Sequence, residues 1–142
     1  METGIGVVGE EPGFWFSFSA TLRIFGEIGD FEPITQTLGV TPTHTHRRGG
    51  SRRPTSPRAY DHDMWSYTAP LPEDRPLEDH LDALWRVVRP HVDYLKGLKQ
   101  GLNVDVFCGY RSNCSTAGFE VDHRALAIFT ELEVPFGISV IV

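Results

Sequence analysis

The chain has 142 residues, with 13 lysines and arginines, 19 aspartates and glutamates, six histidines and a formal net charge of −6. One domain of ordinary globular composition fits that length and its 40% hydrophobic, 23% charged make-up, and no apolar run approaches the ~18 residues of a membrane helix. Cys108 and Cys114 are too few for a disulfide framework, and METGIGVVGEEPG lacks the basic start, apolar stretch and cleavage site of a secretory signal, so a reducing cytoplasm is the expected setting.

Charge is unevenly placed along the chain. Arg47, Arg48, Arg52, Arg53 and Arg58 fall between residues 44 and 58 with no carboxylate among them, which leaves eight bases against nineteen acids elsewhere, a balance of −11. A body this acidic repels a phosphate backbone, so no nucleic-acid partner is expected.

After a flexible N-terminal segment, residues 1–13, residues 14–142 read as a single domain. From Trp15 to Gly26 apolar and polar residues alternate, with Phe16, Phe18, Ala20, Leu22 and Ile24 on one side, and period two predicts a strand buried on one face. GDFEPITQTLG follows as a short helix: Asp30 caps, Pro33 fits the first turn, Phe31, Ile34 and Leu38 share a face, and Gly39 ends it. Residues 43–60, rich in Arg, Gly, Ser, Thr and Pro, form a basic loop longer than the ~12–15 residues of ordinary connections. Its arginines are expected to stand in solvent on a mobile segment, since unpaired buried charges are costly.

Asp63–Thr68 predicts a second strand, with Trp65 and Tyr67 on one face. The longest helix begins near Pro76, its stripe running through Leu77, Leu81, Leu84, Trp85, Val88, Val92 and Leu95 to Gly97 and Gly101. The stripe passes Pro90 without interruption, which predicts a kink or a break into two packed segments there. Asn103–Arg111 alternates again, SNCSTAG reads as a hairpin connection, and Gly118–Val121 as the returning strand. Asp122 caps a helix carrying Ala125, Leu126, Phe129 and Leu132, and PFGISVIV is the last strand. The order β-α-β-α-β-β-α-β gives an α+β two-layer sandwich, a mixed sheet with its helices on one face. The expected core is Phe16, Phe18, Leu22, Leu38, Leu81, Trp85, Val106, Phe129 and Ile138.

TPTHTHRRGGSRRP carries the parts of two chemistries. Guanidinium forks and glycines that admit backbone amides suit an anion, which makes Arg47, Arg48 and Gly49 the anion-binding candidates. If Thr43–His46 is extended, His44 and His46 point the same way about 6.5 Å apart, and His62, Asp61 or Asp63 can complete a metal site. The neighbouring arginines oppose a divalent ion, so solvated histidines are the reading, and neither a metal nor another cofactor is expected. Nucleophilic catalysis has no support: there is no G-x-S-x-G elbow, Cys108 lies on an apolar strand face, and Asp122-His123 reads as a helix start. No catalytic residue is assigned.

The strand ending F-G-E, the helix ending L-G-V, the basic glycine turn and the D-x-W-x-Y strand together resemble a bacterial family known as domain of unknown function number 4279. The likeness lies in FGEIGDFEPITQTLGVTPT, RRGG, DMWSY, PLEDHLDALW and the closing helix and strand, over roughly residues 16 to 142. Arg48-Gly49 stands where relatives have a basic residue followed by glycine, and Trp65 stands at the family's tryptophan. The family has no established activity and transfers no catalytic residue. A small cytoplasmic binding protein is the expectation, an immunity-type protein that binds a toxin being its particular form. The alternative is a small-ligand binder or enzyme acting on a phosphorylated molecule through the arginine loop. A protein is the expected partner, with no nucleic acid and no membrane, and the oligomeric state is open.

Overall fold

A computed structural model describes residues 13–50, 58–114 and 118–142. Expectations for the N-terminal segment, for Arg52 and Arg53, and for the tip of the hairpin at 115–117 lie outside them. The elements are β1 (Phe16–Gly26), α1 (Glu32–Leu38), β2 (His44–His46), β3 (Asp63–Thr68), α2 (Leu77–Val88), α3 (Val92–Leu98), β4 (Asn103–Ser112), α4 (Ala127–Leu132) and β5 (Gly137–Ile141). The strands form one mixed sheet in the order β2-β3-β1-β4-β5, antiparallel throughout except for the parallel pair β4 and β5. The chain is an α+β domain, as its periodicities predict.

Alternation in β1 does what period two requires. Phe18, Ala20, Leu22 and Ile24 are buried, and they pair across β4 with Tyr110, Cys108, Val106 and Val104 on the same side. Trp65 sits opposite Ile24 in β3. Leu77, Leu81, Leu84 and Val88 of α2 and Leu95 of α3 complete this core. Pro90 breaks the long helix as expected, with a 3-10 turn, Arg89–His91, joining α2 to α3. The Asp30 carboxylate accepts from the Glu32 amide at 3.0 Å but does not cap α1, whose cap residue is Phe31 with no side-chain bond. The Asp122 carboxylate accepts from the Arg124 amide at 2.9 Å and caps the 3-10 turn His123–Leu126 that leads into α4.

Three expectations need correction. His44–His46 is a strand, not the start of the basic loop; its exposed, polar residues carry no alternation signal, and it forms by borrowing the edge of β3. Phe119–Val121 is not a strand. Only Gly118 makes an isolated bridge, and Phe119 instead turns its ring onto Phe18 and Tyr110, at 5.0 and 5.1 Å. Phe16, Trp85 and Ile138 are only partly buried, at the margin of a core whose largest fully buried side chain is Trp65.

Helices and buried apolar side chains occupy one side of the sheet. Among the described residues no helix covers the other side. Strand register arranges that open face in rows: His46, Met64 and Phe25; then His44, Ser66, Arg23 and Asp105; then Thr68, Thr21 and Phe107.

Candidate functional site

Four features of the sequence converge at the β2–β3 end of the open face. The two histidines of β2 lie on it because residues two apart in a strand share a side, and their rings meet, with His44 Nε2 and His46 Nδ1 2.9 Å apart. One of those nitrogens must carry the proton and the other accept it. Tyr60 lies flat on His46, the ring centroids 3.5 Å apart at an interplanar angle of 4°. His62 packs 5.0 Å from the Phe25 ring and 6.2 Å from His46. Burial first, and then the neighbouring His44 and His62, holds His46 below the ordinary histidine range, and its Nε2 is buried without a hydrogen bond.

Beside the rings stands the RRGG turn. Gly50 N donates to the Arg47 carbonyl at 3.0 Å, closing a four-residue turn in which Gly49 takes φ +86°, a conformation that favours glycine. The Gly49 amide donates to the Tyr60 carbonyl, and the Tyr60 amide to the Gly50 carbonyl, both at 2.9 Å. The turn is therefore laced to the residue that stacks on His46.

Asp63 holds the assembly from below. Its carboxylate accepts the Arg48 amide at 2.7 Å and the Ile28 amide at 2.9 Å, and pairs with the Arg47 guanidinium at 3.5 Å. Those two amides, and then Arg47, keep the carboxyl below the usual carboxylate range. Arg47 also donates to the Ile28 carbonyl and, at 3.2 Å, to that of Gly29, while its guanidinium sits 4.0 Å from the Phe31 ring centroid.

Of the anion-binding candidates, then, Arg47 is half exposed but turned onto Asp63 and the 28–29 loop, Gly49 spends its amide on Tyr60, and Arg48 spends its amide on Asp63 while its side chain stays exposed. Sequence reasoning found the arginines without an acid because the acid arrives fifteen residues later. A signal existed: Asp63 shares strand parity with the buried Trp65, and a carboxylate at such a position needs donors. Of the metal candidates, His44 and His46 come together and His62 stands apart. Among the described residues no group of three or more histidine, cysteine, aspartate or glutamate side chains is arranged to hold a metal ion. Cys108, whose thiol burial pushes up to about 12, and Cys114 are both buried. Among the described residues no helix is long and apolar enough to cross a membrane.

Sheet, open face and ring cluster define a small α+β domain. The chain belongs to the family described as Domain of unknown function (DUF4279), whose model matches residues 16–142. Neither the curated proteins nor the solved structures contain a match.

Proposed function

We propose that this domain acts in the cytoplasm by binding a protein partner through the open face of its sheet, and that neutralising a basic toxin, an immunity-type role, is the form this takes. The observation that supports it is the composition of that uncovered face. At its centre Arg23 grips Asp105 through two bonds of 2.8 and 2.7 Å, and its guanidinium lies 4.7 Å from the Phe107 ring centroid and 5.5 Å from that of Phe25. Phe107 is 40% exposed. Aromatic rings and an oriented arginine are the side chains that anchor protein interfaces, and the His46–Tyr60 stack extends them to the sheet edge. The acidic remainder of the chain supplies steering. A net charge of −6 speeds encounter with a basic protein at long range.

Co-expression of the tagged chain with the product of the adjacent gene tests this reading. Retention of that product by the wild type, and its loss in Phe107→Asp at unchanged circular dichroism, supports it. Retention by both refutes the open face, and no retention by either refutes the immunity-type role.

One observation favours an anionic ligand as a second reading. The Arg48 guanidinium is exposed, and no acid among the described residues pairs with it. Titration of inorganic phosphate and pyrophosphate against wild type and Arg48→Ala, at two salt concentrations, tests it. Binding that Arg48→Ala abolishes supports an anion site, and binding that survives the substitution but vanishes with salt refutes it.

A further inference from the structure

The sheet has two edges, and they are finished differently. β2 is three residues long, is followed directly by Arg47 and Arg48, and has the Tyr60 ring laid over His46. Shortness, charge and cover are the devices by which proteins stop an edge from pairing. Among the described residues β5 has none of them. GISVI contains no charge and no proline, and among the described residues it has a strand on one side only. Around it Phe136, Val140, Ile141 and Val142 are 46, 55, 54 and 73% exposed.

We infer that β5 pairs with β5 of a second copy of this chain, antiparallel about a two-fold axis at Ser139. Three properties fit a second copy to this edge. Centred on Ser139, the pairing uses the full length of the strand, Gly137 opposite Ile141 and Ile138 opposite Val140. Partners in that register share parity, so the helix-covered side of one sheet continues into that of the other. On that side Phe136 comes opposite Val142 and Ile138 opposite Val140, so the exposed Phe136, Val140 and Val142 each meet an apolar side chain, while Ile141 on the open face meets Gly137. The seam carries no charge, so two chains of net charge −6 bring no like charges together along it. The result is an isologous dimer with one continuous sheet and both open faces on the same side. It stands independently of the binding role proposed above.

Sedimentation velocity on the full chain over a wide concentration range, with two kinds of variant, tests the dimer. The wild type should pass from 15.9 kDa to twice that mass, and Val140→Lys should stay monomeric with an unchanged circular dichroism spectrum and, at concentrations where the wild type is monomeric, an unchanged melting curve. Under mild oxidation Ser139→Cys should cross-link rapidly, because residue 139 faces its own copy with Cβ atoms about 4.5–5.5 Å apart. Ile141→Cys should not, because its two copies lie about 13 Å apart along the seam at ~3.3 Å per residue. Cys108 and Cys114 are buried and leave the background low. A wild type that is monomeric throughout, a dimer that Val140→Lys leaves intact, or an Ile141→Cys that links as fast as Ser139→Cys overturns the inference.

Discussion

Truncating two tryptophans separately shows where the weight of this fold rests. Trp65 is fully buried, lies opposite Ile24 across β1, and donates from Nε1 to the Thr35 hydroxyl at 3.0 Å, tying β3 to α1. Removing a buried ring of this size costs about 3–5 kcal/mol. Thr35 is only partly buried and can turn to solvent, so its lost bond adds about 0.5–1 kcal/mol. Trp65→Ala should therefore cost about 3.5–6 kcal/mol, a large share of the roughly 5–15 kcal/mol that stabilises most domains. Helical periodicity alone assigns the same cost to Trp85. Because Trp85 is partly exposed at the core margin, Trp85→Ala should cost about 1–2 kcal/mol by the area it removes from contact. Equilibrium urea unfolding of wild type and both variants measures the difference, with Trp65→Phe, which keeps a ring but loses the donor, falling between. Equal midpoint shifts for Trp65→Ala and Trp85→Ala would refute the packing argument.

Other outcomes follow from the site and the core. Asp63→Asn should speed hydrogen exchange at the Arg48 and Ile28 amides, whose acceptor it weakens; unchanged rates would show that the turn stands without the charge. Because the Asp63 carboxyl is depressed in the folded state, its stabilisation is complete above about pH 4. It is lost as pH falls through the folded value, and the variant should lack that acid loss. Gly49→Ala has open space around its new carbon but must hold φ +86°, so it should lower the thermal midpoint by an amount equivalent to about 1 kcal/mol. His80 is 1% exposed with neither ring nitrogen in a hydrogen bond, and burial lowers its pKa, outweighing the neighbouring Arg75 carbonyl and the Asp79 charge. The unfolded chain then takes up the proton first, so stability should decline as pH drops below about 6.5. His80→Leu should flatten that decline, and parallel pH curves for variant and wild type would count against it.

Much of the scaffold is written locally. Strands β1, β3 and β4 alternate because a sheet with one covered face demands it, and α2 and α3 advance by threes and fours because one stripe must meet that sheet. Asp122 and Gly39 mark helix ends through bonds to backbone only a few residues away. Such signals survive in sequence because cause and effect lie within one turn or one strand. The Arg48-Gly49 turn and the paired histidines were visible as candidates for the same reason.

What the tertiary structure decided lies at long range. Phe119 left the ladder for contact with Phe18, and His44–His46 became a strand only because the edge of β3 was open to it. Arg47 found its acid in Asp63 and its ring in Phe31, and Tyr60 came to rest on His46, none of which a window of residues can show. Periodicity told which side of each strand is buried, but not which strands are neighbours. The open face, its rings and the position of β5 at the end of the strand order exist only once register has set strand beside strand, because a surface shared by five strands is a property of their order and of no one of them.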